Sequence, residues 1–456
     1  MKNALETAFQ AAMAHLDGLD YRSVDATSDA AKLRSRLAIE LNEENIEPDR
    51  VIQDLVNAVE GGILGAASGR FFGWVVGGAL PAALAADWLA AAWNNNAALY
   101  ACGPAAAIVE EVAGAWLKDI LGLPRHASFA LVSGCQMAHV TSLAAARHAL
   151  LAKRGWDVEE QGLYGAPPIR IISSNQRHGS IDRAVRLLGF GSSHVTYLTD
   201  IAEFESALDP STPTIVMLQA GDINTGHFDS FATLIPKAKQ AGAWVHIDAA
   251  FGLWAAASPR YRHLLRGVEL ADSWATDGHK WLNTPFDCGY AFIADPEAHR
   301  AAVSHRAAYL THADDARDQI DWNPDWSRRA RGFSTYAALR QLGRKGVAEL
   351  VDRCCAHARS IVVRISEMPG AELVSEPVIN QGMVRFLDPA GIDHDRRTDQ
   401  VIAAINRTGE AFFTGTMWKG RRAMRVSVCN WRTSQADVER TLDCVKGVLT
   451  CQSMSV

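Results

Sequence analysis

Two stretches decide the fold of this chain: residues 244–251, WVHIDAAF, and residues 273–282, SWATDGHKWL. Each is a short run of apolar and β-branched residues that ends in charged side chains next to a turn of small residues. Apolar runs of this length, bounded by turn residues, are typical of strands buried inside a sheet. Because ligands of open α/β sheets bind beyond the carboxyl ends of the strands, the charged residues at these ends mark a candidate site.

Similar short runs, such as FALVSG, IRIISS and TIVMLQAG, alternate with helical stretches from about residue 128 to residue 295. This alternation predicts an α/β fold with a mostly parallel sheet that helices cover on both faces. A long helical region and several shorter strands follow. We therefore predict an N-terminal helical segment (residues 1–105), a large sheet domain (106–330) and a smaller α+β C-terminal domain (331–456).

The composition excludes several classes of protein. The chain has 456 residues, of which 48% are hydrophobic and 21% charged, close to the averages for soluble globular proteins. A net charge of −6 without a basic block argues against a nucleic-acid partner. The longest apolar stretch, residues 75–92, contains Gly77, Pro81 and Asp87, and acidic residues near the start do not suit an export signal. The interrupted apolar stretch argues against a membrane partner. The eight cysteines have no paired or metal-binding spacing, which favours reduced thiols in the cytoplasm and no metal.

A lysine and an aspartate at the two strand ends carry the chemistry. Lys280 follows His279 and precedes Trp281; apolar surroundings lower the pKa of a lysine and favour Schiff-base chemistry, although a solvated ammonium is the alternative. Asp248 closes an apolar strand, where an aspartate is often a helix cap. Paired with Lys280 on a neighbouring strand, it can instead keep the ring nitrogen of pyridoxal 5′-phosphate protonated. At a separation of ~3 Å, with an effective dielectric of ~20, the attraction is roughly 5 kcal/mol, which raises the pKa of the ring nitrogen by about four units.

Two further strand ends suit the same cofactor, pyridoxal 5′-phosphate. The turn at Gly134, Cys135 and Gln136 leads from a strand into an Ala/Leu-rich helix, whose first N–H groups can bind a phosphate, although many such turns bind nothing. His178 follows another strand. It is either a structural residue or a ring that stacks on the cofactor opposite the small side chain of Ala250.

Taken together, the runs HIDAAFG and DGHKWLNTPFDCGYAF resemble the pyridoxal-phosphate-dependent group II amino-acid decarboxylases. That family includes aromatic-amino-acid, tyrosine, histidine and glutamate decarboxylases, and the likeness extends from about residue 69 to residue 433. The resemblance implies the type I aminotransferase fold, decarboxylation of an amino acid to an amine and CO2, and a homodimer with shared active sites.

The resemblance also implies roles for individual residues. Lys280 resembles the lysine that forms the Schiff base, and Asp248 resembles the partner of the pyridine nitrogen. Ala250 and His178 resemble the two residues that sandwich the ring, and His279 resembles a phosphate contact.

Five positions depart from the family pattern. Cys135 and Gln136 stand where a small hydroxyl residue is usual, and Met137 replaces a common glutamate. Asp277 stands where a neutral phosphate ligand is common, and a carboxylate there would repel a dianion. Asn224 lies in a stretch where the family tends to have threonine. Contacts of Asp277 and Asn224 with the ligand are left open.

The resemblance extends to the substrate. Tyr309 resembles the tyrosine of a mobile loop that reaches the neighbouring subunit's site and protonates the carbon that has lost CO2. Phenylalanine at that position typically accompanies aldehyde-forming relatives, so Tyr309 favours simple decarboxylation. Phe72 and Trp74 lie in the stretch that lines the side-chain pocket of relatives, although core packing is an equal alternative. An aromatic amino acid is the first expected substrate, and Arg70 leaves an acidic one open.

Two other functions remain open from the sequence. One is an aminotransferase or a decarboxylation-coupled oxidative deaminase on the same fold, because Arg425 resembles an arginine that binds the α-carboxylate in aminotransferases. The other is a non-catalytic scaffold that binds pyridoxal phosphate, which only the unusual Cys135–Gln136–Met137 turn supports.

Overall fold

The computed structural model describes residues 1–199, 203–305 and 316–453. The chain has two compact units, one formed by residues 77–356 and the other by residues 1–76 together with 357–456. The three segments predicted above, residues 1–105, 106–330 and 331–456, are based on changes of pattern along the sequence, and they stay a prediction.

Short strands and longer helices alternate along the chain. The strands are β1 (Ser128–Val132), β2 (Arg170–Ser174), β3 (Val195–Leu198), β4 (Thr214–Gln219), β5 (Trp244–Asp248), β6 (Ser273–Asp277), β7 (Gly289–Ile293), β8 (Ala371–Ser375), β9 (Gln381–Phe386), β10 (Thr414–Trp418) and β11 (Arg421–Ser427). The helices are α1 (Lys2–Gly18), α2 (Ala30–Leu37), α3 (Pro48–Ala58), α4 (Pro81–Trp93), α5 (Pro104–Ile120), α6 (Cys135–Ala152), α7 (Val158–Gln161), α8 (Gly179–Leu187), α9 (Phe204–Ala207), α10 (Phe231–Gln240), α11 (Pro296–Val303), α12 (Gly332–Ser366), α13 (His394–Arg407) and α14 (Gln435–Ser453).

The larger unit contains a seven-stranded sheet in the order β1-β7-β6-β5-β4-β2-β3. β7 runs antiparallel to both of its neighbours, and the other strands run parallel to one another. Nearly all residues of β1 and β4–β7 are buried, as expected for a sheet with helices on both faces. The predicted α/β fold with a mostly parallel sheet is confirmed.

The register of β5 and β6 brings the charged strand ends together. His246 lies opposite Ser273, and Asp248 lies opposite Ala275. Because both strands run in the same direction, Asp248 and Asp277 end them at the same edge of the sheet.

Helix α6 packs across β5, β6 and β7 and connects the site to the core. Its buried face consists largely of small and aliphatic side chains, including Ala138, Leu143 and Ala146. The helix begins at Cys135, immediately after the turn that follows β1. The first turn of α6 therefore lies at the sheet edge where β5 and β6 end.

The other unit contains a four-stranded antiparallel sheet in the order β10-β11-β9-β8, against which α13 packs. This arrangement confirms the predicted smaller α+β region. Within the described part of the chain, no helix combines the length and the apolar composition that crossing a bilayer requires.

Candidate active site

A lysine and a carboxylate form an ion pair where β6 ends. The Lys280 Nζ atom lies 2.9 Å from Oδ2 of Asp277, and the two side chains are 18% and 3% exposed. Burial disfavours the ammonium and is the largest single influence, but the Asp277 carboxylate, with a smaller contribution from Asp248, more than compensates for it. The pKa of Lys280 is therefore raised, and the lowering predicted from its apolar neighbours in the sequence is wrong because the sequence did not show the carboxylate beside it. Burial likewise disfavours the carboxylate, yet Lys280 and His279 lower the pKa of Asp277. In the cofactor-free protein the pair is therefore ammonium and carboxylate.

The start of α6 completes this cluster. The backbone N–H of Cys135 donates to Oδ1 of Asp277 over 2.6 Å, and Nε2 of His279 lies 3.6 Å from the same oxygen. A Cβ on Gly289 would lie 2.5 Å from the Cα of Gly134, so β7 can approach the turn only without a side chain. Burial, reinforced by Asp277, raises the pKa of the Cys135 thiol well above its usual range, which keeps it protonated.

Asp248 lies next to this cluster, at the end of β5. It is 5% exposed, and its Oδ1 accepts a 3.3 Å hydrogen bond from the backbone N–H of Ala250 and lies 3.7 Å from Nε2 of His139. The carbonyl oxygen of Ala250 in turn accepts from the backbone N–H of Asp277 over 2.9 Å. These contacts hold the ends of β5 and β6 together.

The turn that carries His178 is hydrogen-bonded to the start of α6. His178 precedes α8 and caps it, because its Nδ1 accepts from the backbone N–H of Ser180 over 3.2 Å. Gln136 Nε2 donates to the carbonyl oxygen of Ser180 over 3.2 Å. His178 is exposed, so its imidazole is accessible to a ligand.

The segment that contains Gly77 and Gly78 is hydrogen-bonded to the turn that carries Lys280. The backbone N–H of Gly77 donates to the carbonyl oxygen of His279 over 3.1 Å, and that of Gly78 donates to Oδ1 of Asn283 over 2.7 Å. A Cβ on Gly77 would lie 2.0 Å from the carbonyl oxygen of Lys280. Any side chain at position 77 would therefore displace the lysine turn.

The predicted pocket residues Phe72 and Trp74 lie in the other unit. Phe72 is fully buried and its ring stacks on Phe413 at 5.2 Å, whereas Trp74 is 49% exposed and lies 5.6 Å from the ring of Phe412. Their role in a substrate pocket stays a prediction. Tyr309 lies outside the described residues.

Three more residues named from the sequence have definite places. Arg70 is 1% exposed and lies 3.3 Å from a carboxylate oxygen of Glu410 and 3.8 Å from one of Asp437. Arg425 is buried in β11. Asn224 lies in the turn after β4.

Sequence reasoning missed two histidines behind Asp248. His139 lies one helical turn after Cys135 in α6, and His246 lies two positions before Asp248 on β5; both are fully buried. The sequence contained a signal for them, because positions i and i+4 share a helix face and positions i and i+2 share a strand face. Their partner across the sheet, Ser273, carries no comparable signal.

Comparison with known proteins identifies the family. Residues 31–387 match the model of the pyridoxal-dependent decarboxylase conserved domain, well over half of the chain. The chain belongs to the pyridoxal-dependent decarboxylase family. Its cofactor is therefore pyridoxal 5′-phosphate, and its reaction is the decarboxylation of an amino acid.

Relatives of this decarboxylase cover most of its length. Tryptophan decarboxylase 1 of Oryza sativa subsp. japonica is 28% identical over 444 residues, covering 88% of this chain and 84% of the relative. The aromatic-L-amino-acid decarboxylase of Bacillus atrophaeus is 24% identical over 460 residues, covering 97% and 94%. The crystal structure of Oryza sativa TDC with PLP and tryptamine superposes with a TM-score of 0.90 at 23% identity, covering 99% and 98% of the two chains. This likeness confirms the predicted type I fold.

The residues at the sheet edge of the decarboxylase fit its cofactor. The amine of Lys280 can hold the aldehyde carbon, and the carboxylate of Asp248 can hold a protonated ring nitrogen. Gly134 has no side chain, and a Cβ at that position would lie only 3.2 Å from Cε1 of His279. The absence of a side chain keeps the space beside the His279 ring open. At the start of α6 the N–H of Cys135 donates to Asp277 and that of Met137 donates to the carbonyl oxygen of Gly134, so the N–H of Gln136 and the positive end of the helix dipole are what can bind a phosphate.

Replacing Asp277 by asparagine should make Lys280 more reactive. Asp277 raises the pKa of Lys280 and burial lowers it, so removing the carboxylate leaves burial dominant and the pKa falls. The neutral amine fraction at a pH below that pKa then rises about tenfold for each unit of the fall. We expect the rate of cofactor uptake by the cofactor-free Asp277→Asn variant, followed by absorbance, to reach its plateau at lower pH than in the wild type.

A matched control for this measurement is Asp287→Asn. Asp287 lies on the loop that follows Lys280, but its carboxylate pairs with Arg331 at 2.9 Å. Its neutralisation should leave the pH profile of uptake unchanged. Superimposable profiles of wild type and Asp277→Asn would contradict the role given to the ion pair.

Proposed function

We propose that the protein decarboxylates an aromatic L-amino acid, with pyridoxal phosphate, to the corresponding amine and CO2. The observation that carries this proposal is the convergence of a buried lysine amine, a buried aspartate and a helix N-terminus at one edge of the parallel sheet. Those three groups match the aldehyde, the ring nitrogen and the phosphate of the cofactor. The named activities of the relatives add the aromatic class of substrate.

Each group of the chain has a separate task in this proposal. Lys280 holds the aldehyde carbon, Asp248 keeps a proton on the ring nitrogen, and the α6 N-terminus with His279 binds the phosphate. Ala250 and His178 would hold the ring between them, and the small Ala250 side chain would permit close approach. The bound cofactor supplies a protonated pyridine ring that accepts the electron pair released when CO2 leaves.

Three side chains control the protons and orient the substrate. Asp277 holds the ammonium form of Lys280 until the cofactor arrives. His178, exposed at the start of α8, can orient the substrate carboxylate so that the bond to CO2 breaks in the required direction. Tyr309 is the general acid that protonates the substrate carbon afterwards.

The aromatic preference has two supports. The relatives described above are named for tryptophan or for aromatic L-amino acids. Arg70, the arginine that could have marked an acidic side chain, already lies against the carboxylates of Glu410 and Asp437. A buried guanidinium compensated in this way attracts a further carboxylate only weakly. Phe72 and Trp74 are the proposed aromatic wall of the side-chain pocket.

The assembly and the location belong to the same proposal. We take the enzyme to be a homodimer in which Tyr309 acts in the partner's site. All eight cysteines are thiols, which suits the cytoplasm.

The direct test is a screen of purified enzyme, loaded with pyridoxal phosphate, against each proteinogenic amino acid. We expect amine and CO2 in equal amounts from an aromatic substrate, measured by mass spectrometry with and without oxygen. Lys280→Ala is the control and should form neither product. A keto acid, or an aldehyde formed only with oxygen, would contradict simple decarboxylation, and no product from any substrate would favour the scaffold.

Tyr309→Phe should bind the cofactor normally and lose most amine formation, because the hydroxyl of the general acid is removed while the size of the side chain is nearly unchanged. Absorbance of the bound cofactor and the amine assay measure the two properties separately. Full amine formation by this variant would remove Tyr309 from the mechanism.

Subunit exchange extends the same test to the dimer. A mixture of Lys280→Ala and Tyr309→Phe subunits should recover part of the activity, because half of the sites in a mixed dimer combine two intact residues. If exchange takes place without recovery, each site is built within one chain.

A further inference from the structure

A buried chain of polar side chains lies behind Asp248. His139 Nε2 is 3.7 Å from Asp248 Oδ1, and His139 Nδ1 is 2.9 Å from Nε2 of His246. His246 Nδ1 is 2.9 Å from Oγ of Ser273, which also accepts a 2.9 Å hydrogen bond from Nε1 of Trp244. None of these five side chains belongs to a residue more than 5% exposed.

Both histidines are neutral. Burial lowers the pKa of His139, and it lowers the pKa of His246 well below its usual range, with the neighbouring His139 adding to the effect. Each ring therefore carries one proton, on either Nδ1 or Nε2. The positions of the two protons determine whether Nε2 of His139 presents an N–H or a lone pair to Asp248.

Trp244 sets the direction of the hydrogen bonds between these side chains. An indole N–H can only donate, so Ser273 Oγ is an acceptor in that contact. The hydroxyl hydrogen of Ser273 then points to Nδ1 of His246. This leaves the His246 proton on Nε2, from which it is donated to Nδ1 of His139.

His139 must then carry its own proton on Nε2, the atom that faces Asp248. The reverse direction would use both lone pairs of Ser273 Oγ, for Trp244 and for His246, and would leave the hydroxyl hydrogen without an acceptor among these side chains. It would also aim the bare lone pair of His139 Nε2 at a carboxylate 3.7 Å away, in a site where unfavourable electrostatics are poorly screened. The forward direction removes both problems.

We propose that His139, His246 and Ser273 form a positioning relay that directs an N–H dipole at Asp248. The relay, like the proposed function, assumes that Asp248 binds the ring nitrogen. An N–H directed at the carboxylate lowers its affinity for a proton, so the proton shared with the cofactor stays on the ring nitrogen.

The relay also accounts for a cluster that resembles a metal site. The ligand atoms of Cys135, His139 and Asp248 lie within 4.8 Å of one another. In the assigned tautomer His139 Nε2 carries a proton and has no lone pair for an ion. This tautomer disfavours a metal ion at the cluster.

Replacements at His139 test the relay at its end. His139→Leu removes the N–H, and His139→Gln places an amide N–H near the former Nε2. We expect the leucine variant to bind pyridoxal phosphate up to about tenfold more weakly, because it removes the N–H dipole that faces the carboxylate across 3.7 Å. The 15N signal of ring-labelled cofactor should shift toward the unprotonated value. The glutamine variant should recover most of both properties.

Ser273→Ala tests the remote end with a smaller change, so that the relay stays testable if His139→Leu does not fold. It should move the 15N signal in the same direction and weaken cofactor binding severalfold. The matched control is Ser128→Ala, which removes a buried hydroxyl bonded to another histidine, His299, at 2.8 Å, outside the relay. That variant should change neither measurement.

Two results would overturn the relay. One is an unchanged affinity and 15N signal in folded Ser273→Ala. The other is equal effects of His139→Gln and His139→Leu, which indicate packing alone. Failure of the proposed function is a separate outcome: a wild type that binds the cofactor with a protonated ring nitrogen but forms no amine refutes the function and leaves the relay intact.

Discussion

The Asp277 carboxylate allows an ammonium group to be buried at the edge of the sheet. Taking a charge out of water costs several kcal/mol unless an opposite charge and hydrogen bonds compensate it. Here the carboxylate lies 2.9 Å from Lys280 Nζ and also accepts the first N–H of α6, from Cys135. One side chain therefore connects the end of β6, the start of α6 and the reactive lysine. Loss of either partner would leave an uncompensated charge in the site.

The parallel sheet brings the remaining groups to the same place. β5 and β6 run side by side, so Asp248 and Asp277 leave the sheet at one edge with different partners. Asp277 contacts the lysine, whereas Asp248 has a chain of neutral side chains behind it that begins at His139. Asp277 thus compensates a cation of the protein, whereas in the proposed function Asp248 binds the protonated ring nitrogen of the cofactor.

Much of the fold could be predicted because it depends on local pattern. Buried parallel strands are short apolar runs, and the chemistry lies where they end, which is sufficient to single out Lys280 and Asp248. Spacing places His139 on the helix face of Cys135 and His246 on the strand face of Asp248, but it does not show that the two histidines meet. His139 and His246 are 107 residues apart, and the fully buried pair of Arg328 and Glu110 is separated by 218 residues. Residue type and spacing along the chain cannot specify contacts of that kind.

The most direct test of a covalent link between Lys280 and pyridoxal phosphate is chemical trapping of the cofactor on the protein. Purified protein is incubated with pyridoxal phosphate, reduced with borohydride and digested, and the modified peptide is identified by mass spectrometry. We expect a phosphopyridoxyl group on Lys280 alone, and we expect Asp248→Ala to weaken cofactor retention. Labelling of a different lysine, or none under conditions where the protein is folded, would contradict it.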